Sequence, residues 1–143
     1  MPEVFSTTRQ VEFRDTDAAG IMHFASILGL MEEAEHEFLR AVNLPLFSPH
    51  GDGQISWPRV SVQCDFKSPA KFEDSIEIQV QVQRLGKRSV TYRFSLTCES
   101  RLVATGTMTS ACCHVADGSI QAVDIPKETR EVLERYLAVE DSA

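Results

Sequence analysis

The chain has 143 residues, 43% of them hydrophobic and 24% charged, a composition that fits one globular domain able to build its own core without metal or disulfide staples. Its formal net charge of −7 argues against nucleic acid as a partner, since phosphate contacts need a basic face, and obliges any anionic ligand to find a local cationic spot. No apolar run approaches the length of a membrane span, and Met1-Pro2-Glu3-Val4-Phe5-Ser6 has neither the basic nor the apolar region of a signal peptide, so a cytoplasmic protein with no membrane partner is expected.

Residues 7–13 alternate, with Val11 and Phe13 on one face and Gln10 and Glu12 on the other, which predicts a strand. Next comes Phe13-Arg14-Asp15-Thr16-Asp17-Ala18-Ala19-Gly20-Ile21-Met22-His23-Phe24, a loop carrying two carboxylates and a glycine. Ile27, Leu30, Met31, Ala34, Phe38 and Val42 then repeat at helical spacing, opposite a charged face of Glu32, Glu33, Glu35, His36, Glu37 and Arg40. This reads as an amphipathic helix of roughly four turns. Ser26 is placed to cap its start, and Asn43 with Pro45 to end it.

Residues 46–55, with Pro49, Gly51, Asp52 and Gly53, read as a loop. Three alternating runs follow, on Val60 to Phe66, Ile76 to Val82 and Val90 to Cys98, and a long final strand is expected from Leu102 to Val115. The connections 85–89 and 99–101 are hairpin-sized, so these strands should pair antiparallel. A closing helix is expected from about Pro126 to Leu137. One long helix against a five-stranded, mostly antiparallel sheet is an α+β domain, with the helix covering the apolar face of the sheet.

The four cysteines, Cys64, Cys98, Cys112 and Cys113, follow no CxxC spacing and read as small buried hydrophobes. Cys112 and Cys113 would point to opposite faces of a strand. No metal or cofactor is expected. Arg84, Lys87 and Arg88, clustered around Gly86, are the candidate cationic spot.

Three readings compete for the aspartate loop. Its Asp15-x-Asp17-x-x-Gly20 pattern begins like a calcium loop, but Ala19 and Ser26 stand where ligands are required, which rules calcium out. Turn formation and capping are a common use of aspartate. Catalysis is the third reading: residues two apart in an extended loop point the same way, so the two carboxylates would lie side by side and repel. A carboxylate facing a helix N-terminus suits acyl transfer, because the acid supplies a nucleophile or base and the helix end supplies N–H donors for an oxyanion. No G-x-S-x-G serine motif competes.

The run Glu12 to Ile21, followed by Ala25-Ser26 and a helix with Glu32-Glu33-Ala34, resembles the 4-hydroxybenzoyl-CoA thioesterase family of the hotdog fold and the related YbgC-type acyl-CoA thioesterases. The resemblance spans nearly the whole chain, taking in Trp57-Pro58-Arg59-Val60, the Ser68-Pro69-Ala70 turn and the Gly86-Lys87-Arg88-Ser89 hairpin. It implies a single hotdog thioesterase domain over 1–143, with a five-stranded sheet wrapped around one central helix. It further implies that Asp17 is the catalytic carboxylate, with Asp15 as its supporting neighbour. The backbone N–H at about Phe24 would hold the thioester oxygen, and Gly20 would allow close approach. Lys87 and Arg88 would meet the CoA phosphates.

Family members of the second kind usually carry Tyr-His where this chain has His23-Phe24, so His23 stands one position off. It is either an assisting group or a side chain packed at the helix start. The implied assembly is a homodimer or homotetramer with active sites at the interface. The implied reaction is hydrolysis of an acyl-CoA thioester, a carrier-protein thioester being the variant substrate. A non-catalytic acyl-CoA or acyl-carrier-protein binding module is the alternative, and a hotdog dehydratase a more distant third.

Overall fold

Ile76, Ile78, Val80 and Val82, all 0% exposed, form the inner face of one strand, while Glu77 and Gln79 between them face outward. That strand, β5 (Ser75–Leu85), is an interior strand of a five-stranded sheet in a computed structural model that describes residues 2–139. With β1 (Phe5–Gln10), β4 (Arg59–Phe66), β6 (Ser89–Cys98) and β7 (Arg101–Ala111), the sheet order is β1-β5-β6-β7-β4. Every neighbouring pair is antiparallel. Helix α1 (Phe24–Ala41) crosses its inner face and buries Met31, Ala34 and Phe38 completely against it. The helix approaches closely at Gly106, where a Cβ would stand 2.9 Å from the Met31 sulfur. Its C-terminus closes on Asn43 at φ +60°, with the Leu44 N–H returning to the Leu39 carbonyl.

The first strand stops earlier than its alternation suggests. Val11 stays buried, but residues Phe13–Asp15 form a 3-10 turn because Glu12 and Asp15 cap each other reciprocally, the Asp15 carboxylate accepting the Glu12 N–H at 2.9 Å. Phe13 therefore leaves the core and packs edge-on against Phe72 at the surface.

A second sheet lies beyond what the sequence patterns predict. The expected loop 46–55 holds β2 (Ser48–His50) and β3 (Gly53–Ser56), and the expected long last strand breaks at Cys112 into β7 and β8 (Cys113–Ala116). β9 (Ser119–Ala122) completes a four-stranded sheet in the order β2-β3-β8-β9. The break arises because the Cys112 N–H bonds to the Arg88 carbonyl, while its own carbonyl accepts the Val123 N–H. All four cysteines are free thiols, three of them buried, and burial pushes the Cys112 thiol up to about 11.

Helix α2 (Lys127–Glu134) follows Pro126 and packs Leu133 into the core. Glu35, expected on the charged face of α1, is only 3% exposed. It is held by Arg59 of β4, which also donates to Ser110 Oγ at 3.1 Å and Glu32 at 3.2 Å. β4 differs from the other strands: the helix does not cover its apolar face, and Val60, Val62 and Phe66 are 60%, 43% and 50% exposed. No helix among the described residues is long and apolar enough to cross a membrane.

Candidate active site

The aspartate loop is a tight hairpin. Thr16 bridges Met22, the Asp17 N–H donates to the Ile21 carbonyl at 3.0 Å, and the Gly20 N–H returns to the Asp17 carbonyl at 2.9 Å. Gly20 adopts φ +80°, a conformation that side-chain-bearing residues rarely take. The loop is anchored on both sides, by Met22 N–H to the Ala70 carbonyl at 2.8 Å and by His23 N–H to the Asp15 carbonyl at 2.7 Å.

Within this hairpin Asp17 Oδ1 accepts the Ala19 N–H at 2.9 Å, which fixes the side chain. Oδ2 stands 3.8 Å from His23 Nδ1, with the Asp17 side chain 38% exposed. Asp15 does not lie beside Asp17 on an extended loop as expected. The 3-10 turn directs its carboxylate back onto the Glu12 N–H, so it supports the backbone, and its carbonyl holds His23.

Asp17 borders a cavity of about 460 Å³. Phe24 and Ile27 of the first helical turn line one side, and Phe66, Lys67, Pro69 and Ala70 the other. The aromatic rings of Phe24 and Phe66 meet edge-on at 6.3 Å. Sequence reasoning missed Phe66 and Lys67, which become wall residues only through tertiary packing.

Helix α1 starts one turn earlier than Ser26 would place it. His23 occupies the N-cap position and its side chain makes no capping hydrogen bond, and Ser26 lies within the first turn. The Ser26 and Ile27 N–H groups both bond to the His23 carbonyl, which leaves the Phe24 and Ala25 N–H groups without a backbone acceptor among the described residues. Open donors at a helix N-terminus, where the macrodipole is positive, can stabilise a developing oxyanion beside the Asp17 carboxylate.

The structure does not bring Lys87 and Arg88 to Asp17. Their hairpin lies where β6 begins opposite Ala111, at the Arg59 end of β4, whereas the cavity lies at the Phe66 end. The length of β4, roughly 25 Å, separates them. Arg88 donates to Asp124 at 2.9 Å, and this hydrogen bond holds the exposed Asp124 carboxyl below its ordinary value. Arg130 binds the Gly86 carbonyl at 2.6 Å and stiffens the hairpin, while Lys87 is exposed.

A second cavity, over Glu35, Trp57 and Tyr92, has a volume of only about 30 Å³, room for a water or two rather than an acyl group. No cluster of metal-binding side chains occurs among the described residues.

A family model described as "Thioesterase-like superfamily" matches residues 11–133. A 1,4-dihydroxy-2-naphthoyl-CoA hydrolase of Nostoc punctiforme is 30% identical over 130 residues, covering 91% of this chain and 86% of that protein. A gentisyl-coenzyme A thioesterase of known structure superposes with a TM-score of 0.75 at 26% identity, over 88% of this chain and 99% of its own. A 1,4-dihydroxy-2-naphthoyl-CoA thioesterase from Synechocystis reaches a TM-score of 0.80 over 92% of this chain and 96% of its own, at 20% identity, a likeness of fold.

Proposed function

The chain belongs to the thioesterase-like superfamily, and we propose from that premise that it hydrolyses an acyl-CoA thioester to the free acid and CoA thiol, with Asp17 as the reacting carboxylate. The observation that carries this reading is the open Asp17 Oδ2 on a cavity wall built from the uncapped start of α1. The thioester carbonyl sits between Asp17 and the Phe24 N–H. Asp17 takes a proton from an attacking water and passes it to the leaving thiolate, or it attacks the carbon to give a mixed anhydride. A water then hydrolyses that anhydride, releasing the acid, restoring the carboxylate and supplying the thiolate's proton. The oxygen, now negative, is held by the helix donors, and the CoA sulfur leaves and gains a proton. His23, close to Oδ2, orients the carboxylate or shuttles that proton. A binding module would have no use for a free carboxylate held at this point.

The assembly that completes the site is a homodimer formed through β4. Two-fold pairing of identical edge strands is antiparallel. It brings the Arg59 end of one β4 beside the Phe66 end of the other, and with it the partner's Lys87–Arg88 hairpin towards the Asp17 cavity. An acidic chain thereby acquires a local cationic site for the CoA phosphates.

Thiol release from a CoA-ester panel, beginning with 1,4-dihydroxy-2-naphthoyl-CoA and gentisyl-CoA, tests the activity. Asp17→Asn is expected to keep fold and ligand binding while losing about 10²–10⁴-fold in kcat. Full turnover in that variant would overturn the assignment.

A further inference from the structure

Arg101 is the first residue of β7, placed opposite Cys98 by a tight hairpin turn at Glu99 and Ser100. Both turn residues have positive φ, +50° and +69°, the geometry that matches strand twist in a two-residue hairpin. From this position the guanidinium donates to Ser68 Oγ at 2.6 Å and to the Pro69 carbonyl at 2.6 Å, and lies 3.9 Å from Asp74 Oδ2. Ser68 Oγ in turn donates to the Leu102 carbonyl. Arg101 thus spans both ends of segment 67–74, whose first residues are the cavity wall opposite α1.

The next link leads to the reacting group. Ala70, adjacent to the carbonyl that Arg101 grips, accepts the Met22 N–H, which anchors the hairpin carrying Asp17. We infer that Arg101 is a positioning residue: through Ser68 and Pro69 it sets the distance between the acyl-cavity wall and the Asp17 hairpin. The consequence for substrate selection rests on the thioesterase reading above. The consequence for the wall does not. The side chain is 43% exposed, so its ion pair with Asp74 contributes little to global stability, and its effect should be local.

Two readouts test this on the full-length protein with Arg101→Ala. Native-state hydrogen exchange should show the Met22 amide exchanging roughly tenfold faster or more, while the Val80 and Phe94 amides in the sheet stay unchanged. Steady-state kinetics across CoA esters of different acyl bulk should show KM rising about fivefold or more with kcat within about threefold, and the preference among acyl groups flattening. Ser68→Ala, which removes one acceptor, should give a smaller change in the same direction, and it decides the matter if Arg101→Ala does not fold. Unchanged Met22 exchange, or a uniform loss of kcat with acyl preference intact, overturns the inference. A wild-type protein that releases no thiol from any ester would sink the thioesterase reading and leave the exchange result to judge Arg101 alone.

Discussion

The Asx turn at Asp17 commits one carboxylate oxygen to the Ala19 N–H, so the side chain is held against rotation and Oδ2 is the atom left for the reacting role proposed above. Such a fixed orientation is what positions a reacting group without paying entropy at each turnover. A comparable constraint operates in the core at Gly106. There a Cβ would lie 2.8 Å from Met31 Cε and 2.9 Å from the Gln63 carbonyl, which is backbone of the neighbouring strand and cannot swing aside. Gly106→Ala should therefore destabilise the protein by about 1–3 kcal/mol, a fall in Tm of roughly 3–10 °C by calorimetry, despite the better strand propensity of alanine. An unchanged Tm would mean that β4 yields at this point without cost.

Between elements, a largely buried ion pair ties β4 to α1. Arg59 reaches Glu35, Glu32 and Ser110 at once, joining the exposed edge strand to the helix whose start forms the site. Because Glu35 is almost fully buried, Arg59→Ala should leave an uncompensated charge and cost about 3–5 kcal/mol in urea denaturation. The double variant Arg59→Met with Glu35→Leu should recover most of that loss, since two apolar side chains need no pairing. A double variant as unstable as the single one would contradict the account. Elements of this size were largely legible in the sequence. The helix, β5 and β6 announce themselves through sustained periods of 3.6 and 2, and the hairpin that carries Asp17 through a motif confined to one loop. β2, β3 and β9 were not, because strands of three or four residues carry too few alternations to register, and β8 reads only as the end of one long strand with β7, although Asp117-Gly118 is a hairpin dipeptide that marks the β8–β9 turn. Glu35 was misplaced because its helical position alone does not reveal an arginine 24 residues away. The wall at Lys67–Ala70 and its Arg101 brace likewise join segments over 30 residues apart, beyond any local pattern.

At the scale of the whole molecule, the apolar side of β4 is the feature that a single chain leaves unresolved. Val60, Val62 and Phe66 present an exposed apolar row on an edge strand whose outer backbone groups have no partner strand among the described residues. Edges of this kind are pairing sites unless charge or proline blunts them. The same row continues through Phe66 and Phe24 into the Asp17 cavity, so whatever covers it also closes the site. In the homodimer proposed above, a second copy meets both requirements and supplies the cationic hairpin that lies too far from Asp17 within one chain. In that homodimer Val62→Lys brings two like charges close together near the middle of the paired strands, while the exposed position of Val62 leaves the core of each subunit intact. It should therefore yield a folded monomer by sedimentation, with unchanged far-ultraviolet circular dichroism. Its kcat/KM for CoA esters should fall by at least the loss seen in Lys87→Ala/Arg88→Ala, because the monomer lacks the same cations together with half of the cavity's cover. A folded Val62→Lys monomer with full activity would show that the Asp17 site is complete within one chain, and that the cations serving CoA must be sought closer to Lys67.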